Sequence, residues 1–306
     1  MLPALAILAA ALCFSTTGTA QALAGVDASP LAVGAARIVV GGGILGLLAL
    51  LRRRPASAHA ASRDVTSRGS VAGLIALGAV GVLAYQPLFF LGTRDNGVAI
   101  GTVVALGSAP IATGIADAVR LRRAPSSRWM LATAIALAGV ILVSGVTGGA
   151  VALTPGGLLA SAGAGMSYAL YTVCGKALIE RGWDSTRVMG TVFGVAALAS
   201  APVLLLAGSA WLLTPNGLAL ALWLGVVTTT VAYVLFGWGL ARLSAVTVST
   251  LTLAEPLAAT LLGLFVLHEQ LTPVSAVGLT LIAVGLAVVS APSRRREGVP
   301  DAASPA

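Results

Sequence analysis

The sequence contains little charge and little cysteine. Asp, Glu, Lys and Arg make up 9% of its 306 residues, whereas soluble domains average about 25%. Its two cysteines, Cys13 and Cys174, lie in apolar segments, away from any second ligand at a metal-binding spacing. The cysteines therefore predict neither a disulfide framework nor a metal site.

Motifs for nucleotide binding and catalysis are missing as well. The chain has no Walker sequence and no nucleophile beside a suitable histidine. We therefore expect no cofactor, no metal and no enzymatic activity, and the same pattern argues against ATP-driven pumping by this chain.

What the sequence does contain is hydrophobic residues, which make up 58% of the chain and give a mean hydropathy of +0.98. Apolar runs of about 20 residues recur from end to end, the length that crosses ~30 Å of hydrocarbon as a helix. The alternation typical of membrane β-strands is missing. The sequence predicts an all-α polytopic membrane protein with ten transmembrane helices near residues 3–22, 31–51, 70–92, 98–119, 128–147, 155–178, 187–208, 216–238, 244–267 and 273–291.

The net charge of +8 is unevenly distributed. If the N-terminus is cytoplasmic, every basic residue except Arg37 and Arg94 falls in an inner loop or in the C-terminal tail. The positive-inside rule then predicts a multi-pass protein of the cell (inner) membrane with both termini in the cytoplasm. Because the positive-inside rule accounts for the basic residues, they do not indicate a nucleic-acid partner, and none is expected.

The two halves of the chain are weakly similar. When the first half is laid over the second, Pro110 meets Pro256 and Gly139 meets Gly285. The loop that carries four arginines in the first half has none in the second, as expected if that loop changes sides. We predict two inverted five-helix repeats, residues 1–147 and 148–291, followed by a disordered cytoplasmic tail, 292–306. Inverted repeats are typical of secondary transporters.

The segment "AEPLAATLLGLFVLHEQLTPVSAVGLTLIAVGLAVV" resembles the EamA-type branch of the drug/metabolite transporter superfamily. It has Glu-Pro inside helix nine, an acidic residue at the end of that helix and glycines in helix ten, with a weaker copy around Pro110, Gly139 and Arg37. The resemblance covers essentially the whole chain. It implies a permease for metabolites or drugs that works by alternating access, often an exporter of amino acids or related compounds.

The chain departs from the family pattern at three positions. Ala109 stands where a repeat of Glu255 would lie, Arg123 stands opposite Glu269, and His268 replaces the usual glycine before the terminal acid. These differences weaken any mechanism that uses two symmetric carboxylates.

Glu255 and Pro256 lie side by side near the middle of a predicted span. An acidic residue there must face protein or a watery cavity, and proline interrupts the helix. Two interpretations stay open: Glu255 couples transport to protons or contacts substrate, or it stabilises the start of a half-helix. Pro110 is the predicted structural partner of Pro256, most simply as a kink.

Other polar residues within the spans are candidates to line a cavity. Arg37 offers a bidentate fork to a substrate carboxylate, although snorkelling or pairing with an acid inside the bundle explains it equally well. Gln86 either lines the cavity or makes an interhelical hydrogen bond. The remaining candidates are the tyrosines that share helical faces with hydroxyl residues: Tyr168, Tyr171 and Tyr233.

The sequence thus predicts a secondary transporter of small metabolites, such as amino acids or drug-like compounds, that exports them and is coupled to protons. An uncoupled facilitator of the same fold and a non-transporting membrane scaffold are the alternatives. The expected partners are a small-molecule substrate and the lipid bilayer, with a homo-oligomer through Gly278 and Gly285 of helix ten as a further prediction.

Overall fold

A computed structural model describes residues 1–52, 65–144, 153–268, 270 and 272–291, and these residues form helices with no strand. The first half contains α1 (Leu2–Ala24), α2 (Pro30–Leu51), α3 (Ser70–Gly97), α4 (Ile100–Leu121) and α5 (Ser127–Val143). The second half contains α6 (Pro155–Glu180), α7 (Ser185–Ala207), α8 (Pro215–Leu240), α9 (Ala245–Val266) and α10 (Pro273–Ser290). A short 3₁₀ turn, Ala210–Leu213, precedes α8.

Eight of the helices in the described ranges are long and apolar enough to cross a membrane. The two others are α5, which has 17 residues, and α6, which has 26. The chain is therefore a multi-pass helical membrane protein, as the sequence predicts.

The helices begin where a polar side chain can bond the exposed N–H groups of the first turn. In seven of the helices in the described segments, the residue before the helix accepts such a hydrogen bond: Ser29, Ser126, Thr154, Asp184, Thr214, Ser244 and Thr272. Four of these caps are followed directly by proline, which lacks an N–H and suits the first helical position. The apolar runs thus begin at the same residues that cap the helices.

The connection between α3 and α4 is shorter than predicted. The sequence places a loop at residues 93–97, whereas the helical run extends over Val65–Leu121 with non-helical geometry only at Gly97 (φ 79°, ψ 155°). Glycine reaches this positive φ at little cost. One residue therefore suffices where a loop is expected.

The two halves meet through helices that correspond to each other and run antiparallel. Between α2 and α7, Gly42 lies against Ala197, and Gly46, further along α2, lies against the earlier residue Gly194. Gly190, one turn earlier in α7, approaches the carbonyl of Leu45. Glycines at these contacts allow the two backbones to touch.

The second such pair is α5 with α10. A Cβ at Gly139 would lie 2.5 Å from the carbonyl oxygen of Gly278, and a Cβ at Gly285 would lie 2.7 Å from that of Ala132. The two glycines predicted as an oligomer interface therefore lie against α5 of their own chain. A homo-oligomer that uses α10 would have to form through another face of this helix.

The helices that pack around α1 correspond to those that pack around α6. Helix α1 packs on α8 and α9, and α6 packs on α3 through Gly81 and on α4 through Gly165. Corresponding helices thus have corresponding neighbours, and the pairs α2–α7 and α5–α10 run in opposite directions, as expected for inverted repeats. The predicted boundary at 147/148 and the tail 292–306 lie outside the described residues.

We expect Gly139→Ala to lower the thermal midpoint of the purified protein in detergent. The new Cβ would overlap the backbone of Gly278, and such overpacking costs about 1–3 kcal/mol. The matched control is Gly73→Ala on α3, where a Cβ meets nothing within 4 Å. There, replacing a helical glycine should leave the midpoint unchanged or raise it. Equal midpoints for the two variants would contradict the close α5–α10 contact.

Candidate functional site

Two adjoining cavities lie between α2, α3 and α7 and share Ile38, Val82 and Gln86. The wider has a volume of ≈ 310 Å³, begins at Leu31 in the first turn of α2 and is mostly apolar. The narrower has a volume of ≈ 30 Å³, and its other lining residues are Arg37, Tyr85, Tyr171, Phe193 and Tyr233. The cavity therefore narrows from apolar walls to a polar and aromatic end.

Arg37 is held at this narrow end by α8. Its Nε donates to Oγ1 of Thr229 at 3.0 Å, and its Nη2 donates to the carbonyl oxygen of Thr228 at 3.1 Å. No ion pair among the described residues includes Arg37. Among the described residues the guanidinium therefore bonds α8 rather than an acid, and it lines the cavity.

The carbonyl of Thr228 is available because α8 is not a regular α-helix at this point. Residues Trp223–Val231 form a π-helix. The N–H of Ala232, which would bond Thr228 in an α-helix, instead donates to the carbonyls of Val227 and Thr229. Wide turns of this kind often occur at functional sites. Here the wide turn directs the N–H of Ala232 away from the carbonyl of Thr228, which accepts from Arg37.

An aromatic cluster closes the narrow end. The hydroxyls of Tyr171 and Tyr233 lie 3.0 Å apart, and the rings of Phe193 and Tyr233 have centroids 4.0 Å apart. Phe14 of α1 adds a further ring, 5.2 Å from Tyr233. All of these rings are buried. Because each tyrosine hydroxyl has a partner, the cluster combines apolar bulk with satisfied polar groups.

Tyr168 connects this cluster to the break in α9. Its hydroxyl lies 3.0 Å from Oγ1 of Thr252, and Thr252 lies between the two halves of the helix, Ala245–Leu251 and Ala254–Val266. The Glu-Pro pair thus marks a broken helix, as predicted. At the break, the carbonyl of Thr252 accepts the N–H of Glu255 at 2.9 Å.

Glu255 occupies the first turn of the second half-helix, where the helix dipole favours a negative charge. The N-cap position is held by Leu253, and no side chain caps this half-helix. Glu255 is half-buried and lies in the neighbourhood of Arg37, Tyr85 and Tyr233. It makes no ion pair with Arg37, so a gap separates the two charges.

Most of the sequence candidates come together, and one does not. Arg37, Gln86, Tyr171 and Tyr233 line the cavity directly. Tyr168 packs on Tyr171 and bonds Thr252, which accepts the N–H of Glu255 beside Pro256. Gln86 lies over Gly34 of α2. In contrast, Pro110 is buried on α4, away from both cavities, and α4 remains helical through it.

Sequence reasoning missed the carbonyl of Thr228 and the ring of Phe193. A run of β-branched residues, "VVTTTV", was the available signal at α8, because such residues crowd an α-helix. Phe193 gave no signal of its own. Within the described ranges, no three His, Cys, Asp or Glu side chains come together as metal ligands.

The chain is similar to one family of proteins along almost its whole length. The model of the EamA-like transporter family matches residues 1–145 and 155–291. The uncharacterized transporter YwfM of Bacillus subtilis (strain 168) is 38% identical over 291 residues, 95% of this chain and 94% of that protein. The uncharacterized protein PA1977 of Pseudomonas aeruginosa is 29% identical over 84% of this chain and 83% of its own length.

A solved crystal structure shares the fold. It superposes with a TM-score of 0.74 at 22% identity, over 94% of this chain and 96% of the other. At this level of identity the match concerns the architecture alone.

We expect Thr229→Val to destabilise the protein more than Thr228→Val does. Both changes remove a hydroxyl that donates to the carbonyl of Leu224. Only the first also removes the acceptor of the Arg37 Nε, and a hydrogen bond to a charged group contributes about 1.5–3 kcal/mol. Thermal unfolding in detergent measures the difference. Equal losses for both variants would show that α8 does not hold Arg37 through Thr229.

Proposed function

The chain belongs to the EamA-like transporter family and is a multi-pass membrane transporter, and from that premise we propose that it exports amino acids or closely related small metabolites in exchange for protons. The observation that supports this proposal is the guanidinium of Arg37 at the cavity, with the carboxyl group of Glu255 in its neighbourhood on α9 and no ion pair between the two.

Arg37 is the proposed anchor for the substrate carboxylate. A guanidinium has five N–H donors in a planar fork that matches a carboxylate. Two of these donors are occupied by Thr228 and Thr229, which fix the plane of the group. A charge that is already oriented loses less conformational entropy when the substrate binds.

Glu255 is the proposed site for the substrate ammonium group and, alternately, for the proton. An amino acid carries a carboxylate and an ammonium group on neighbouring atoms, so it can bridge two opposite charges that do not touch each other. A proton and an ammonium group compete for the same carboxylate. This competition is what an exchange mechanism requires, because only one of the two can be carried on each crossing.

The wider cavity supports a small substrate with an apolar part. Its volume of ≈ 310 Å³ lies at the lower end of the range of about 300–1,000 Å³ seen for ligand pockets. Its walls include Ile38, Val82 and Leu83. These side chains would contact a hydrocarbon side chain while Arg37 holds the polar end.

The inverted halves provide the means for alternating access. Such repeats can exchange conformations, so that a site between them opens to one side of the membrane and then to the other. Because the proton gradient across a bacterial inner membrane is directed inward, proton entry would drive the substrate outward.

An uncoupled facilitator is the alternative, and the difference between the halves favours it. Ala109 in the first half stands where the second half has Glu255, and α4 is not broken as α9 is. If Glu255 only stabilises the half-helix in whose first turn it lies, substrate would move without proton coupling.

The test of coupling is Glu255→Gln in proteoliposomes that are loaded with a panel of labelled amino acids. We expect an imposed pH gradient to drive flux through the wild type. In the variant the gradient should have no effect, whereas exchange of labelled for unlabelled substrate should continue, because Gln keeps the shape of the side chain and loses its charge. Wild-type flux that is indifferent to the gradient would favour the facilitator. No saturable flux for any compound would favour a non-transporting scaffold.

The test of the anchor is Arg37→Gln, measured with an amino acid and with the corresponding amine that lacks the carboxylate. We expect the wild type to prefer the amino acid by about tenfold or more, the effect of one charge-assisted hydrogen bond, and the variant to lose this preference. The exposed Arg94, which lies beside Asp95, supplies the control variant Arg94→Gln. An unchanged preference in Arg37→Gln would remove Arg37 from the binding site.

A further inference from the structure

A second concave surface lies between α2 and α7 and shares no residue with the cavity. It is a groove of ≈ 520 Å³. Leu47, Leu50, Val195 and Leu198 form its sides and are 41–79% exposed. Gly43 lies within it, and a Cβ at that position would meet nothing within 4 Å. The groove is therefore apolar, open and directed away from the bundle.

One end of the groove is basic. Arg187, in the first turn of α7, lines the groove with its guanidinium 4.3 Å from the centre of the Trp183 ring. No carboxylate of the described residues forms an ion pair with it. Arg52 follows the end of α2, two residues after Leu50 of the groove wall. This is also the end of the bundle that the charge pattern predicts to be cytoplasmic.

The combination of shape and charge identifies the ligand. We propose that this groove binds an anionic phospholipid, with an acyl chain between α2 and α7 and its phosphate at Arg187. A guanidinium binds phosphate through paired N–H groups, tryptophan is enriched at the level of lipid headgroups, and basic pockets between transmembrane helices bind anionic headgroups. The groove has apolar walls for the acyl chain, and Trp183 and Arg187 lie at the end where the lipid headgroup would be.

A second copy of the chain fits the same groove less well. A partner that lies in the membrane in the same orientation would bring its own Arg187 to the same end of the groove, and like charges at close range repel. A lipid phosphate instead brings the opposite charge. The charge at the groove end therefore favours the lipid.

The test is native mass spectrometry of the full chain in detergent, titrated with dioleoylphosphatidylglycerol or dioleoylphosphatidylcholine. We expect the wild type to retain one phosphatidylglycerol in preference to phosphatidylcholine. Arg187→Gln should weaken phosphatidylglycerol binding by about tenfold, the effect of losing one charge-assisted contact. Gly43→Leu should abolish retention of either lipid, because the new side chain occupies the groove.

Two matched variants control for charge and for packing. Arg242 also lies over a tryptophan ring, 3.9 Å from the centre of Trp238, but it does not line the groove. Gly73 is an exposed helical glycine outside the groove with open space around it. Arg242→Gln and Gly73→Leu should therefore bind phosphatidylglycerol as the wild type does.

The proposal has clear contrary outcomes. Equal retention of the two lipids, or unchanged phosphatidylglycerol binding in both Arg187→Gln and Gly43→Leu, would overturn it. A dimer that Gly43→Leu dissociates would assign the groove to a second copy. Thermal unfolding of each variant, recorded alongside, separates loss of the lipid site from loss of the fold. None of these readouts depends on transport.

Discussion

The arrangement of the cavity depends on the bond between Arg37 and α8. A guanidinium inside a bilayer must be surrounded by protein or water, and a backbone carbonyl there must be bonded within the protein. The π-helical turn meets both needs, since it leaves the carbonyl of Thr228 without its usual N–H and Arg37 supplies the missing donor. Because Arg37 is bound to α8, its charge stays at the cavity and apart from Glu255.

The helical architecture could be predicted almost completely, because in a membrane the length of an apolar run and the position of its capping residues are set by the same boundary. The run predicted at 187–208 is Ser185–Ala207, and that at 273–291 is Pro273–Ser290. The error at 93–97 arose where one glycine replaced a whole loop. Hydropathy carries no information about such a backbone angle.

Only those parts of the site that are polar side chains could be predicted from the sequence. Arg37, Gln86 and the tyrosines stood out because polar groups are rare in an apolar span, and the structure places them at one cavity. Their partners did not stand out. The acceptor of the Arg37 Nη2 is a backbone atom, and its availability depends on helix geometry over nine residues. The repeat pairs Pro110 with Pro256, and of these two helices α9 divides near its proline while α4 keeps helical backbone angles at Pro110.

The two surfaces proposed to bind ligands lie on different faces of the same pair of helices. On α2, Arg37 and Ile38 face the cavity, Gly42 and Gly46 contact α7, and Leu47 faces the groove. Along the contact, glycine brings backbone against backbone, so no flexible side chain can absorb a change in spacing. Any movement of α7 against α2 must therefore alter the cavity and the groove together. A lipid that preferred one spacing would favour one conformation of the cavity by its difference in affinity for the two. The groove is thus placed where the membrane could influence the transport cycle without touching the substrate.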